Sequence, residues 1–216
     1  TLYTSSYPNL TKNCKAEILN PVQDLAGIRY PSQFQPRKEE QKVYMAFKTN
    51  LLYDSALTAN IGAEFTLAPR WSLNLPLSYN GWSYPGKGHI YRNAVIQPEA
   101  RFWFCESMIG PFVGMHVHGG AYNFGMIPNK LKFFGNDFSQ LTDYRYQGYF
   151  AGAGISGGTA IALGRNVNLE LEIGFGYAYA VYDKFQCVDC GRKLEQGVPV
   201  HYVGPTKAGI NLVYVF

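Results

Sequence analysis

The sequence contains no apolar run near the roughly 18 residues that a membrane-spanning helix requires, because Lys, Asn, Glu or Gly interrupts every such run. Charged residues are also scarce, at 16% of 216 residues, and the net charge of +4 comes from scattered Lys and Arg. A helical membrane protein, a coiled coil and a disordered chain are therefore excluded. A nucleic-acid partner is excluded as well, because it requires a clustered basic face.

Glycine and aromatic residues are abundant, with 23 glycines and 16% Phe, Trp and Tyr. Together with the low charge, this composition is typical of all-β proteins, and the length allows one large barrel or sandwich with a modest extension. The first twenty residues contain neither the basic nor the apolar region of a signal peptide. We therefore expect a chain from which any export signal has been removed.

The first 41 residues differ from the rest of the chain. They contain four prolines, Pro8, Pro21, Pro31 and Pro36, and show no alternation of apolar and polar residues. Segments of this kind are typical of irregular structure. We therefore predict an irregular arm over residues 1–41 and one β domain over residues 42–216.

From Val43 onward, eight stretches alternate with the two-residue period of strands that have two different faces. One parity is apolar and uncharged, as in the predicted first strand, Phe47-x-Thr49-x-Leu51-x-Tyr53, and the predicted fourth strand, Ile96-x-Pro98-x-Ala100-x-Phe102-x-Phe104. The opposite parity collects the charged residues. Two architectures fit this pattern: a soluble lipocalin-like carrier with its apolar face inside, and an outer-membrane barrel with its apolar face towards lipid. Both are eight-stranded antiparallel barrels.

Three features favour the outer-membrane barrel. Aromatic residues concentrate near the strand ends, as interfacial girdles require, and the polar parity mixes both signs of charge, which allows pairing inside a narrow lumen. The connections also alternate between tight and long, which is typical of periplasmic turns and outer loops. The tight connections are predicted near residues 68–70, 106–110 and 163–167, and the long ones near 83–93, 123–144 and 182–201.

The third feature is the C-terminus, which resembles the insertion signal of outer-membrane barrels. The signal consists of a polar residue, a glycine and alternating apolar residues that end in Phe, here Lys207, Gly209, Leu212, Tyr214 and Phe216. We therefore expect a location in the outer membrane of a Gram-negative bacterium, in contact with its lipid, with the arm and the C-terminus on the periplasmic side. Eight strands leave an interior that side chains fill, so the polar residues are predicted to interlock rather than conduct. This lumen network comprises Lys48, Glu64, Glu99, Arg101, His116, His118, Glu170, Glu172 and Lys207.

Several segments together resemble an uncharacterised outer-membrane β-barrel family of Bacteroidota-type Gram-negative bacteria, known only as a domain of unknown function. The resemblance covers about residues 43–216 and implies an accessory role in envelope assembly, with protein partners in the envelope. It supplies no catalytic residues. The segments that carry it are Phe47–Asp54, Arg70–Leu73, Gln97–Cys105, His116–Gly120, Tyr144–Gly148, Gly174–Ala178 and Gly204–Lys207.

The cysteines allow several interpretations. Cys187 and Cys190, with His201 nearby, have the spacing of half a metal site, but an extracytoplasmic setting favours a local disulfide or a free thiol pair over a metal. Cys14 and Cys105 are both predicted on the periplasmic side, so a disulfide between them would tie the arm beneath the barrel. The alternatives stay open at the level of the sequence.

His116 and His118 lie two residues apart on one strand and, with Glu99 or Glu172, could form a metal site or an acid–base pair. The parity places both histidines in the lumen, where a satisfied polar network is the simpler interpretation. We therefore predict a non-enzymatic anchor or accessory subunit of an envelope assembly, without a cofactor. The alternatives are a lipid-modifying or metal-dependent outer-membrane enzyme that uses these histidines, and a soluble lipocalin-like carrier.

Overall fold

The computed structural model describes residues 44–82, 90–125, 132–133, 136–137, 144–186 and 191–216. The predicted arm, Cys14, Cys187 and Cys190 lie outside these residues. No helix in the described part of the chain is long and apolar enough to cross a membrane. The elements are β1 (Met45–Asn50), α1 (Leu51–Ser55), β2 (Ala59–Ala68), β3 (Trp71–Asn80), β4 (Ile90–Ile96), β5 (Glu99–Trp103), β6 (Gly110–Gly125), β7 (Lys132–Phe133), β8 (Asn136–Asp137), β9 (Arg145–Ala162), β10 (Val167–Phe185) and β11 (Lys193–Val215).

The strands form one antiparallel sheet that closes into a ring. Strands β1, β2 and β3 are followed by β4 and β5, which both pair with β3 on one side and β6 on the other and so share one position. The ring continues through β6, β9, β10 and β11 and closes where β11 pairs with β1, with Val215 opposite Ala46. The short strands β7 and β8 pair only with each other. The prediction of an all-β chain with one closed antiparallel sheet is confirmed.

The two faces of the ring differ in chemistry. Successive side chains of a strand point to opposite faces, and the polar parity points into the ring, where it is buried. The apolar parity points outwards, and its large side chains are 40% exposed at Leu171 and 72% exposed at Met115. This is the reverse of the arrangement that the soluble-carrier alternative requires, in which the apolar face lies inside.

The strand predicted to run continuously from Ile96 to Phe104 is interrupted. Proline cannot donate to a ladder, and the break falls at Gln97-Pro98, between β4 and β5. The backbone groups next to the break are still paired: Gln97 N donates to Pro76 O at 3.1 Å, and Pro98 O accepts from Val117 N at 3.0 Å. The prediction of one strand was wrong, but the two segments keep one position in the ring.

The first predicted strand, extending to Tyr53, was also too long. Asn50 ends β1 and caps α1, because its side-chain oxygen accepts a hydrogen bond from Leu52 N at 3.1 Å. Asn50 also bonds to β11, donating to Ala208 O at 3.0 Å. Helix α1 therefore occupies residues that were predicted to continue the first strand.

The long outer loop predicted over residues 182–201 is mostly strand. Strand β10 continues to Phe185 and β11 begins at Lys193, so the connection itself is short. Asp183 fixes this end of the hairpin by accepting from Lys193 Nζ at 2.7 Å and from Gly197 N at 2.8 Å. The hydrogen bond from Lys193, with the one from Gly197 N–H, lowers the pKa of Asp183 below its usual value. The hairpin also contains register shifts after Tyr182 and Lys184, which a period-two pattern does not reveal.

Candidate functional site

The structure places all nine predicted lumen residues inside the ring, each at most 8% exposed. They come from different strands: β1, β2, β5, β6, β10 and β11 each contribute at least one of them. Because alternate residues of every strand point inwards, the closed sheet brings these distant positions together. The result is a buried cluster of ion pairs, which we call the charged interior.

Arg101 lies at the centre of the charged interior and is fully buried. Its guanidinium donates to Glu64 at 2.9 Å, to Glu99 at 2.6 Å, to both oxygens of Glu170 at 2.9 and 3.2 Å, and to Glu172 at 2.9 Å. The planar fork of arginine suits such multiple contacts, which a lysine could not reproduce. The guanidinium also lies 4.4 Å from the centre of the Phe112 ring.

Two lysines complete the charged interior on either side of Arg101. Lys48 bridges Glu64 and Glu170, with 3.0 Å between Lys48 Nζ and Glu170 Oε2. Lys207 bridges Glu99 at 2.6 Å and Glu172 at 2.9 Å. Every carboxylate of the cluster therefore contacts at least two cations. Such an arrangement offsets the high cost of burying charge, but it offers no free acid, base or nucleophile.

The two histidines lie next to this cluster. His116 is 2% and His118 is 6% exposed, and their rings are 5.5 Å apart. His116 Nε2 is 2.9 Å from Thr206 Oγ1, whereas Nδ1 of both histidines is buried and lacks a hydrogen-bond partner. Neither imidazole reaches the outer face, where the enzyme alternative would need it. In the part of the chain that the structure describes, no three His, Cys, Asp or Glu side chains are grouped as metal ligands.

Several interior residues escaped the sequence analysis. Ser72 donates to Glu64 and Ser156 donates to Glu99, so two small hydroxyl residues complete the coordination of the carboxylates. Trp103 Nε1 donates to Ser72 Oγ at 2.8 Å, and the ring packs against Phe112 at 4.7 Å. The signal was weak, because Ser72 shares its parity with Asn74 on β3 and Ser156 shares its parity with glycines on β9, whereas only Trp103 shares the parity of charged residues, Glu99 and Arg101 on β5. An aromatic residue on a polar face was not expected to be buried.

Strand β9 makes room for the histidines. Gly154 lies opposite His116 in the ladder between β6 and β9, and a Cβ at this position would lie 2.8 Å from the imidazole and closer still to the backbone oxygen of Phe175 on β10. A contact this close requires the ring or the backbone to move. The absence of a side chain at residue 154 therefore sets the position of the histidine.

We expect Gly154→Ala to lower the free energy of unfolding by about 1–3 kcal/mol, the usual cost of adding a group to a packed interior. The matched control is Gly164→Ala, because a Cβ at Gly164 in the turn before β10 meets nothing within 4 Å. Urea unfolding of both variants in mild detergent measures the difference. Equal stability of the two variants would show that the histidine is not packed against β9.

His201, a candidate metal ligand with Cys187 and Cys190, was predicted in a loop but lies in a strand. His201 lies within β11, opposite Tyr179, and its Nδ1 is 2.6 Å from Tyr177 Oη. The extended strand between Lys193 and His201 spans about 26 Å, which separates His201 from the end of the hairpin where β11 begins. Cys187 and Cys190 lie outside the described residues, and their pairing stays a prediction.

Cys105 forms a disulfide, and the three other cysteines of the chain lie outside the described residues. Cys105 follows β5 at the end of the ring where β10 begins, whereas Cys187 and Cys190 follow the other end of β10. The 19 residues of β10 span about 60 Å, far beyond the roughly 7 Å that separates disulfide-bonded Cα atoms. Cys14 is therefore the expected partner of Cys105.

We expect non-reducing peptide mapping to recover one peptide pair that contains Cys14 and Cys105. Reduction should separate the pair. A free thiol at either residue, or a pair that links Cys105 to the hairpin cysteines, would contradict the prediction. Cys14→Ser is the matched variant, because it should leave Cys105 as a free thiol. This thiol should react with an alkylating reagent only after unfolding, because Cys105 is 4% exposed.

The residues of the predicted insertion signal divide between the two faces of β11. Lys207 is buried in the charged interior. Leu212, Tyr214 and Phe216 point outwards and are 41%, 48% and 60% exposed. Phe216 contacts Phe47 of the neighbouring strand edge-on at 5.6 Å and Tyr214 at 4.9 Å. The aromatic end of the chain thus forms part of the outer surface of the ring.

No curated protein and no solved structure shows a significant match to the chain. A family model does match. The match begins before residue 43, where the resemblance in the sequence motifs began, so it includes the last residues of the predicted arm. Because residues 30–216 match the model described as a protein of unknown function, DUF3575, the chain belongs to that family.

Proposed function

We propose that the protein is a non-enzymatic outer-membrane β-barrel that serves as an anchor or accessory subunit of an envelope assembly. The observation that carries the proposal is the reversed polarity of the ring, with ion pairs inside and large apolar side chains outside. Contiguous exposed apolar surface on this scale is unfavourable in water. A transmembrane β-barrel requires this arrangement, because its outer face meets lipid.

Aromatic residues on the outer face support the proposal, because they form two bands. One band lies at the end of the ring with the short turns, where Trp71 contacts Phe102 at 5.2 Å and Tyr214 contacts Phe216. The other band includes Tyr177 and Tyr179 of β10. From Val167, which pairs with Tyr214, β10 rises about 40 Å to Tyr179, or about 30 Å after a tilt of about 40°. This spacing suits an apolar band flanked by two aromatic girdles.

The filled interior supports an accessory role rather than a channel. Side chains of the charged interior occupy the centre, and the end with the short turns is closed by an apolar cluster of Ala46, Met108, Val213 and Val215. An eight-stranded barrel has little space beyond such side chains. The surfaces available to partners are then the segments outside the ring, in particular the N-terminal residues on the periplasmic side.

The test is affinity purification of the tagged full chain from native outer membranes in mild detergent. We expect the protein to be absent from detergent-free extracts and to retain a defined set of envelope proteins at near-equal stoichiometry. Extraction into buffer without detergent would contradict the membrane part of the proposal. A clean monomer in the purified fraction would contradict the accessory role while leaving the barrel intact.

A further inference from the structure

Beyond the histidines, towards the far ends of the long strands, the inner face of the sheet changes from charged to aromatic. On β6, Tyr122 and Phe124 continue the inward parity of His116 and His118. Residues that pair directly across neighbouring strands share a face, and these pairs bring further rings from β4, β9 and β10 to the same inner face. We call this set the aromatic wall: Tyr91, Tyr122, Phe124, Tyr146, Phe150 and Tyr182.

The rings of the aromatic wall contact one another in a row. Phe124 lies 5.0 Å from Tyr91 and 5.5 Å from Tyr122, measured between ring centres. Tyr122 lies 6.2 Å from Phe150, and Phe150 extends over Gly120, where a Cβ would lie 3.1 Å from the ring. All the side chains of the aromatic wall are half-buried. Part of each ring therefore remains accessible on the inner face.

The aromatic wall lies beyond the ends of the shorter strands. Strand β1 pairs with β11 only as far as Asn50, opposite Asn211, so the 18 residues 193–210 of β11 have no pairing with β1. Strand β3 pairs with β4 only as far as Asn80, opposite Asn93. In the described part of the chain, β4, β6, β9, β10 and β11 therefore continue as a curved, open sheet with the aromatic wall on its concave face. The mouth of a β-barrel is a common position for a ligand site.

The aromatic wall offers rings and hydroxyl groups rather than free charges. Lys184 and Glu195, at the same end of the ring, pair with each other at 3.7 Å. Lys184 also lies 4.2 Å from the centre of the Tyr144 ring, so a cation already occupies that aromatic face. Tyr122 Oη makes no hydrogen bond within the described part of the chain. These features suit a neutral ligand that has both apolar and hydroxyl groups.

The backbone around the aromatic wall does not suit an extended peptide. Peptides that bind by strand addition require a sheet edge with free backbone groups. Strands β6, β9 and β10, which carry most of the aromatic wall, are paired with a neighbouring strand on both sides. Only side chains are therefore available to a ligand on this face.

We propose that the aromatic wall binds a neutral oligosaccharide. The C–H groups of a sugar ring carry partial positive charge and pack against the negative faces of aromatic rings. Sugar hydroxyls can donate to and accept from the tyrosine hydroxyls. From Gly120 to Phe124 the aromatic wall is about 13 Å long, which exceeds one sugar unit and favours an oligosaccharide. The inference goes beyond the proposed function and does not depend on it, because the aromatic wall lies on the inner face of the sheet.

The test applies the full chain, in a mild detergent without a sugar head group, to an array of neutral and charged glycans. An array of peptides is probed in parallel. We expect binding to neutral oligosaccharides. Binding to no neutral glycan, or to charged glycans or peptides alone, would overturn the proposal.

Two variants with matched positions locate the binding surface. Tyr122→Ala should raise the Kd for the oligosaccharide bound on the array at least about tenfold, as when an aromatic hot-spot residue is truncated. Tyr149→Ala should leave the Kd unchanged. Tyr149 is a matched control, because it pairs with Ala121 in the same ladder but lies on the outward face, where it is 63% exposed. Isothermal titration calorimetry measures both variants, and equal Kd values for Tyr122→Ala and Tyr149→Ala would contradict the proposal.

Hydroxyl-radical footprinting of the unmodified protein does not rely on a variant that folds. The bound oligosaccharide should lower the oxidation of Tyr91 and Tyr122 and leave that of Tyr149 unchanged. Protection of neither Tyr91 nor Tyr122, or equal protection of Tyr149, would exclude the aromatic wall as the binding site.

Discussion

Replacing Arg101 with methionine is expected to lower the free energy of unfolding by about 3–5 kcal/mol, the range observed when one partner of a buried ion pair is removed. The guanidinium contacts Glu64, Glu99, Glu170 and Glu172, and it is fully buried. After the substitution, the four carboxylates would share only the two lysines. Methionine keeps the unbranched aliphatic part of the side chain, so the effect reports mainly the loss of the guanidinium with its charge and hydrogen bonds.

Urea unfolding in mild detergent, followed by the change in gel mobility between folded and unfolded protein, measures the effect. The stability of Arg101→Lys should lie between those of the unmodified protein and Arg101→Met, because lysine keeps the charge but not the five-donor fork. Arg165→Met is the matched control, since Arg165 is exposed in the turn before β10 and should change stability by no more than about 0.5 kcal/mol. Similar stability of Arg101→Met and Arg165→Met would show that the charged interior does not hold the ring together.

The interior could be predicted from the sequence because of one geometric rule. A period of two determines which side chains share a face, and it places Lys48, Glu64 and Arg101 on one face of their strands without any knowledge of pairing. What the period does not reveal is distance. The contact between Lys48 and Glu170, which are 122 residues apart, requires the closed ring, in which β11 pairs with β1 on one side and with β10 on the other.

Local interactions explain where the predicted strands were wrong. Asn50 continues the alternating pattern, but its side chain can also cap a helix, and the cap prevails at the end of β1. Similarly, the residues around Tyr182 contain turn signals, yet the pairing of β10 with β9 continues through Phe185. At Asn50 a local side-chain hydrogen bond ends the strand, whereas at Tyr182 the pairing with a strand distant in sequence extends it.

The placement of His201 shows the limit of spacing as evidence. Ten residues lie between Cys190 and His201, a spacing that fits a metal site in a loop if the segment is compact. The segment from Lys193 is extended, because its residues pair with β10. A metal site depends on the path of the chain between its ligands, so the cysteine pair alone could not predict it.

The second large effect concerns the outer face of the ring. Replacing Ile155 with arginine is expected to lower the stability of the membrane-inserted protein by about 2–4 kcal/mol, as for a cation near the bilayer midplane. Ile155 is 66% exposed and lies midway between Tyr149 and Ile161 on the outward face of β9. It pairs with Met115 and Phe175, which also point outwards. Ile155 would therefore lie near the midplane of a bilayer that covers this face.

The same substitution distinguishes the two environments of the ring. In water, an arginine at such an exposed position changes stability by no more than about 0.5 kcal/mol. The control is Leu194→Arg, because Leu194 is 45% exposed in the part of β11 beyond the aromatic band and should tolerate a charge in either environment. Refolding into phospholipid vesicles across a urea series measures both variants. If Ile155→Arg matches Leu194→Arg in vesicles, lipid does not cover the outer face and the membrane proposal fails. If only Ile155→Arg is destabilised, the apolar face functions as the contact with lipid.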